Sequence, residues 1–503
     1  MVCNVKTVAF NGIEARIAEV QVSIGSGMPG FVIVGLPDKT VNESRERVRA
    51  VFATLGIEFP NEHITVNLTP ADLAKEGAHF DLPIALGLLG AMKIIPEDTL
   101  KKFLFLGGLG LDGSVERVNG VLPAAVRAGI EKIGLVCPAE NGAEAVWSGC
   151  KQIVPTRHLL ELLNFFKGKC EIECPKKYTK TAELFGQDFA EVKGQESAKR
   201  ALLLAAAGGH NLLMVGPPGS GKTMLAERLN TILPLMSVHE ALETAMIHSV
   251  AGIRYDGLSL VRPFRAPHHS ASVPSLVGGG RNGIPGEISL AHNGVLFLDE
   301  LSEFSRTAID ALRQPLESKK AVISRVMSHT EYPANFQLIA AMNPFRGHVK
   351  PTAQNTNQIH CAVEYLTKLS EPFLDRFDMQ IEVPAVHPFD LTSTQNGMGS
   401  KELRESVIRA REIAGERFDK LGCSELTVNA ELKGEMLEKA VELDTKLRNY
   451  VAEASEKCGL TGRGTIKILR LARTIADLQN EKKVDKMHVI EALSYRHKLF
   501  SKP

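Results

Sequence analysis

The sequence predicts a multidomain chain of α/β and α+β architecture that ends in an all-α region. Three observations predict it. An apolar run, Leu212-Leu213-Met214-Val215, leads into Gly216-Pro217-Pro218-Gly219-Ser220-Gly221-Lys222-Thr223 and then into a helical stretch, which is the strand, glycine-rich turn and helix of a phosphate-binding loop. Before it, residues 5–166 alternate short β-rich runs with helical stretches. After residue 401, apolar residues recur at three- and four-residue intervals almost to the end.

At 503 residues the chain has room for roughly two to four domains. Apolar residues at 44% and charged residues at 23% are those of an ordinary globular protein. A net charge of +1 gives no whole-molecule footprint for nucleic acid or anionic membrane, so any polyanion contact must be local. No apolar run approaches the roughly 18 residues of a membrane-spanning helix, and Met1-Val2-Cys3-Asn4-Val5-Lys6 lacks the pattern of a secretion signal. A cytoplasmic protein with no membrane partner is expected. Eight cysteines are too few and too scattered for a disulfide framework. Cys170 and Cys174 lie close together, but no second pair stands at zinc-ribbon spacing, and reduced thiols are expected.

In the first region, 1–166, strands are expected over 15–22, 30–35 and 63–68, where apolar residues alternate or run together before Gly or Pro. Residues 42–55 carry Val48, Val51, Phe52 and Leu55 at helical spacing with arginines opposite, an amphipathic helix. Residues 81–92 are small or apolar nearly all round, so a buried helix is expected there. Residues 167–188, with five lysines among Pro and Gly, form the clearest linker. Its lysines read either as a solvated charge run or as contacts to a nucleic-acid backbone.

The third region, 189–390, holds the chemistry. A helix over 198–207, capped by Gly208-Gly209, delivers the chain to the phosphate loop. The loop glycines let backbone N–H groups turn inward at a helix N-terminus, Lys222 would reach the β/γ-phosphates, and the Thr223 hydroxyl would ligate Mg²⁺. Downstream, Gly294-Val295-Leu296-Phe297-Leu298 is a buried-type strand ending in Asp299 and Glu300. Asp299 suits Mg²⁺, and Glu300 suits the orientation and deprotonation of an attacking water. A further strand over 336–342 ends in Asn343-Pro344. Asn343 reads equally as a group that positions water near the γ-phosphate and as a turn-forming residue before Pro. ATP and Mg²⁺ are therefore the expected cofactors.

Arg376 lies in Ser370-Glu371-Pro372-Phe373-Leu374-Asp375-Arg376-Phe377-Asp378, and its flanking aspartates admit a surface ion pair as one reading. After a polar stretch over 391–401, helices are expected at 402–418, 429–450, 463–480 and 486–499, forming a region 391–503 that reads as a helical lid. On the third of these, Arg463, Lys467 and Arg470 share one face, with Arg473 following. Such a stripe serves a nucleotide, DNA or simply solvent. His268 and His269 admit three readings: metal ligation, contact with nucleic acid or another subunit, and structural hydrogen bonding.

Two sets of motifs carry a family resemblance that covers essentially the whole chain. The first is Leu73-Ala74-Lys75-Glu76-Gly77, Phe80-Asp81-Leu82-Pro83-Ile84-Ala85 and Gly107-Gly108-Leu109-Gly110-Leu111-Asp112-Gly113. The second runs from Arg262-Pro263-Phe264-Arg265-Ala266-Pro267-His268-His269 through Pro285-Gly286-Glu287-Ile288, Leu312-Arg313-Gln314-Pro315-Leu316-Glu317 and Arg473-Thr474-Ile475-Ala476-Asp477-Leu478. Together they resemble the ComM/YifB family of magnesium-chelatase-like proteins. The resemblance implies an N-terminal Lon-protease-like (ribosomal S5 domain 2-like) α+β domain, a P-loop AAA+ core of the helix-2-insert type, and a C-terminal all-α lid. It implies a hexameric ring with nucleotide, Arg376 as an arginine finger to the neighbouring subunit, a sensor role for Arg463, and a DNA helicase that drives branch migration in recombination of incoming DNA.

A Lon-type protease needs a Ser and a Lys; the comparable segments here, 76–81 and 119–126, carry neither, so the domain reads as a non-catalytic interaction or assembly module. The family's Cys-Pro-Cys-Gly cluster after Asn343-Pro344 is replaced by Phe345-Arg346-Gly347-His348, with only Cys361 remaining, so no zinc feature carries over. Glu371 stands where the finger segment usually has Gly. A different class of function, a magnesium-chelatase-like ATPase that remodels a protein partner, would use the same core. The chain contains no Asp-x-Ser-x-Ser adhesion motif of the metal-insertion partner.

Overall fold

The computed structural model describes residues 2–180, 187–254, 257–280, 283–324, 329–343, 369–386 and 397–496. The segment 344–350, Cys361, most of the polar stretch over 391–401 and the end of the last expected helix lie outside the described residues.

The first region builds a sheet of seven described strands in the order Gly30–Val34, His63–Thr69, Glu14–Gly25, Val2–Asn11, Phe103–Phe105, Gly134–Pro138, Ile153–Thr156. The long hairpin at its centre pairs Val5 with Val20 and Val8 with Ile17, so alternate residues reach opposite faces. One face buries Val5, Val20, Val22, Ile64 and Val66 against the helices Lys39–Thr54, Asp81–Ala91 and Leu159–Phe166. The helix Asp81–Ala91 is buried at every position, as its composition predicts. The other face packs Val8, Leu104 and Leu135 on the helix Val121–Ile130. Asp81 is fully buried and accepts from Arg47 through Nε at 2.7 Å and Nη2 at 2.9 Å, and also from Ser44, which neutralises its charge inside the core.

The core region is a five-stranded, wholly parallel sheet in the order Phe264–Arg265, Val295–Leu298, Gln337–Met342, Leu212–Val215, Met379–Glu382. Its central strands are apolar apart from Gln337, whose amide donates to the carbonyls of Ala205 and His210, because both faces are covered. The helices Glu196–Gly208 and Lys222–Ile232 lie on one face, and that apolar cluster continues without a break into the lid, joining Leu212 and Leu229 to Val407 and Ile475. Gly209 ends the first of these helices in the left-handed conformation, φ 70°, the expected glycine cap.

The lid consists of Ser400–Lys420, Gly434–Val441, Thr445–Lys457, Gly462–Leu478 and Lys486–Ser494. The expected single helix over 429–450 is corrected here. Glu442 sits at φ 48° and ends Gly434–Val441, and Asp444 accepts the Leu447 N–H at 2.6 Å to start the next helix. The linker over 167–188 is also corrected in part, because Thr179–Lys180 pairs in parallel with Leu258–Ser259 of the core, and Lys177 lies over the Trp147 ring.

The first region is docked on the core rather than tethered to it. Arg117 donates to the carbonyls of Gly252 and Ile253 at 3.3 and 3.0 Å, just past the helix Val238–Val250, and the Gly120 N–H donates to Ser249 O at 3.0 Å. Leu122 packs there with Met236, Ala241, Ala245 and Leu258. Among the described residues no helix is long and apolar enough to cross a membrane.

Candidate functional site

The buried strand Leu212–Val215 delivers the chain to Gly216 at the C-terminal end of the sheet. Only glycine fits there, since a Cβ would fall 2.1 Å from the Val383 carbonyl oxygen. Gly219 and Gly221 take φ of 76° and 88°, turning the loop into the start of the helix Lys222–Ile232. No side chain caps that helix, so its first N–H groups are available to an anion. The Lys222 ammonium is nearly buried and donates to Gly216 O at 2.8 Å, Pro217 O at 2.9 Å and Asn343 Oδ1 at 3.0 Å. Burial lowers its pKa, and the Asp299 charge opposes the shift.

Asp299 and Glu300 follow Val295–Leu298, as expected. Thr223 Oγ1 donates to Asp299 Oδ2 at 2.6 Å, so two oxygen donors stand side by side. That pair suits a hard cation such as Mg²⁺, and the buried Lys222 amine beside open helix N–H groups suits phosphate. Glu300 occupies an unusual backbone conformation, φ 50° and ψ 47°. Its Oε2 lies 3.2 Å from His269 Nδ1. Asn343 ends the strand Gln337–Met342 and reaches the loop through Lys222. The structure therefore brings residues 216–223, Asp299, Glu300 and Asn343 together at one end of the sheet.

Arg376 and Arg463 lie elsewhere. Asn211 precedes the central strand, and its side chain donates to Arg376 O at 3.1 Å, which places Arg376 at the N-terminal end of the sheet, about 16 Å along the strand from Gly216. The Arg376 guanidinium pairs with Glu317, and its Nε is buried without a hydrogen-bond partner. Arg376 and Arg463 line one cavity of about 1000 Å³. Arg463 is exposed and has no hydrogen bond or ion pair among the described residues.

The rest of the basic stripe turns inward. Lys467 donates to the carbonyls of Asp375 and Phe377 and faces Asp378 at 3.6 Å. Arg470 donates to Leu432 O at 2.7 Å, and the buried Arg473 pairs with Asp477 at 2.9 Å. Lys467 thus joins the lid to the residues before the last sheet strand, while Arg470 and Arg473 hold the lid together. His268 makes a structural bond, Nδ1 to Ser270 Oγ at 2.8 Å. The seven described cysteines are free thiols.

Sequence reasoning missed the partners Glu317 and His269. Parallel pairing of Arg265 with Leu296 sets His269 beside Glu300, each four positions further on. The His-His doublet was visible; the register that aims it was not.

Comparison with known proteins places the whole chain. Residues 188–391 match the family model described as magnesium chelatase, subunit ChlI; residues 20–141 match subunit ChlI of Mg-chelatase; and residues 397–496 match its C-terminal model. The chain is 44% identical to "Competence protein ComM" of Haemophilus influenzae, over 97% of this chain and 96% of that protein. It is 41% identical to "Uncharacterized protein YifB" of Escherichia coli, over 98% and 96%. It is 22% identical to the "Magnesium-chelatase 38 kDa subunit" of Chlorobaculum tepidum, over 67% and 86%. With motifs, matched regions and near-complete coverage in agreement, the chain belongs to the ComM/YifB family of magnesium-chelatase-like proteins.

Proposed function

We propose that this protein is an ATP-driven AAA+ ring motor acting on DNA, a hexamer with nucleotide, and a helicase that drives branch migration when incoming DNA recombines. One observation supports the ring above all: the phosphate loop stands at one end of the sheet, whereas Arg376 and Arg463 open onto a cavity at the other. A single chain cannot bring them together, but a second copy can. The DNA assignment draws on membership of the family that includes a competence protein.

In this reading the loop N–H groups and Lys222 hold the phosphates of ATP. Thr223 and Asp299 hold Mg²⁺, which supplies neutralisation of phosphate charge when bound. Glu300 orients a water and takes its proton, and Asn343 fixes that water's position. Arg376 and Arg463 of one subunit face the nucleotide of the next and stabilise charge on the transferred phosphoryl group.

The test is ATP hydrolysis measured with and without single-stranded DNA, together with branch migration on a synthetic three- or four-stranded junction. Stimulated hydrolysis and migrated branches are expected, with DNA affinity falling steeply as salt rises. Hydrolysis without branch movement at any salt concentration would overturn the helicase assignment. It would favour a second reading, a chelatase-like ATPase that remodels a protein partner, for which the matched magnesium-chelatase models speak.

A further inference from the structure

Arg376 sits in a turn whose backbone is held on every side. Its N–H donates to Phe373 O at 2.9 Å, the Asn211 side chain donates to its carbonyl at 3.1 Å, and Lys467 donates to the carbonyls of Asp375 and Phe377. A fixed backbone does not fix an arginine side chain, whose rotamer freedom is worth about 2 kcal/mol. A guanidinium that must meet a phosphate at one place needs a partner to direct it.

Within the chain that partner is Glu317, whose carboxylate pairs with Nη1 of Arg376. Glu317 belongs to the short helix Arg313–Ser318, and contacts on both sides set where that helix stands. Leu312, just before it, packs with Phe373 and Phe377 in one apolar cluster. Ser370 Oγ donates to Asp310 Oδ1 at 3.2 Å, and Arg313 Nη1 faces the same oxygen at 3.6 Å, so the segment leading to Arg376 is tied to the segment leading to Glu317. Lys319, just after the helix, pairs with Glu431 of the lid.

The pair is unequal. The Arg376 side chain is 16% exposed and that of Glu317 is 54% exposed. Water screens a half-exposed carboxylate, so it subtracts little from the attraction of the guanidinium for an anion. What it sets is direction, because the planar fork presents its remaining donors at fixed angles once one of them is held. Both side chains line the cavity at this end of the sheet, and the proposed hydrolysis gives Glu317 no contact with nucleotide or metal.

We infer that Glu317 is a positioning residue for Arg376: it aims the guanidinium across the subunit boundary at the nucleotide of the neighbouring copy. The inference rests on Arg376 acting in the proposed ring.

Glu317→Ala and Glu317→Gln, made in the full-length protein, test it. The Ala variant is expected to lower kcat for ATP hydrolysis by about 10- to 100-fold, the scale of a catalytic group displaced by about 1 Å, with KM for ATP unchanged. Glu317→Gln keeps an oxygen that accepts from Nη1 and is expected to turn over at least about fivefold faster than the Ala variant. A Glu317→Ala kcat at or above that of the wild type, or no gain from Gln over Ala, overturns the proposal.

Two further readouts separate positioning from a defect of folding. The double variant Glu317→Ala/Arg376→Ala is expected to be no slower than Arg376→Ala, since the carboxylate acts only through that arginine; losses that multiply overturn the proposal. Glu317→Ala keeps its own phosphate loop, so mixing it with Lys222→Ala protein, which keeps its arginine, is expected to restore activity above that of either variant. Arg376→Ala mixed with Lys222→Ala is the control. If the control recovers and the Glu317→Ala mixture does not, the positioning role alone fails. If the control never recovers, or Arg376→Ala hydrolyses ATP like the wild type, the role of Arg376 across the boundary fails and the positioning falls with it.

Discussion

The Lys222 ammonium donates to Oδ1 of Asn343 at 3.0 Å, tying the phosphate loop to the end of the adjacent strand. Parallel pairing of Val215 with Met342 sets that meeting, because each residue is the last of its strand. A phosphate that draws Lys222 outward thereby frees the Asn343 amide. In the proposed ATPase, binding and water positioning are coupled through one hydrogen bond.

Lys222→Ala is expected to abolish measurable ATP binding while the protein keeps a single cooperative thermal melt. Lys222 is nearly buried and donates to two loop carbonyls and to Asn343, so its loss costs about 1–3 kcal/mol, less than the stability of a typical domain. Titration with a fluorescent ATP analogue and a thermal melt on the same sample check both halves.

Glu300→Gln is expected to retain ATP binding and to lower kcat by about 10²–10⁴-fold, the usual share of a general base. The Asp299–Thr223 pair is untouched by the change. Single-turnover hydrolysis with trapped, labelled ATP measures it. A kcat near wild type would remove Glu300 from the chemistry.

Arg376→Ala is expected to bind ATP normally and to hydrolyse it on the order of 10³-fold more slowly. Mixed with Lys222→Ala protein, it should regain part of the activity, because each supplies the half that the other lacks. Titrating one variant into the other reads this directly; no recovery at any ratio means that Arg376 acts within its own chain or not at all.

Asp378→Asn is expected to destabilise the protein by about 3–5 kcal/mol, since it leaves the Lys467 ammonium buried without its counter-charge. Burial alone would raise the Asp378 pKa. The His210 imidazole 3.7 Å away, the Lys467 charge and the Asn211 N–H that donates to Oδ2 at 3.0 Å override burial and hold the carboxyl well below the usual carboxylate range. A depressed folded-state pKa contributes stability that is present above the unfolded value, near about pH 4, and is lost as the pH falls toward the folded value. Wild-type stability should therefore drop below about pH 4 more steeply than that of the variant, as measured by denaturant unfolding across that range.

Arg117→Ala is expected to loosen the docked first region by about 2–4 kcal/mol, because two charge-assisted hydrogen bonds to Gly252 and Ile253 are lost. Faster proteolytic cleavage between residues 167 and 188, with the core sheet still protected, is the measurable sign.

The strands 295–298 and 337–342 were legible because a buried parallel strand must be apolar along its length, and the polar residue that ends it marks the rim. The phosphate loop was legible for the same reason, with glycine spacing added. The lid was legible as helical but not in its breaks: apolar spacing runs on through Glu442 because the helices on both sides pack into one cluster. The stripe of Lys467, Arg470 and Arg473 shows a limit of a different kind. Periodicity puts three cations on a helix face and Asp477 at i+4 from Arg473, but only the tertiary structure supplies the carbonyls and the Asp378 carboxylate that cover Lys467 and Arg470. Glu317 on Arg376 and His269 on Glu300 were hidden likewise, since contacts across separate elements leave no trace in spacing.

The separation of Gly216 and Arg376 to opposite ends of one parallel sheet bears on symmetry. Two copies related by a two-fold axis could join the unlike ends only by lying antiparallel, loop to arginine and arginine to loop, and the assembly would stop at two. The proposed ring instead uses a head-to-tail contact between the unlike ends of successive copies, and such a contact repeated either closes into a circle or runs on as a filament. Each copy of that ring is both a donor to one neighbour and a recipient from the other, so the proposed assembly has a one-way order around its axis.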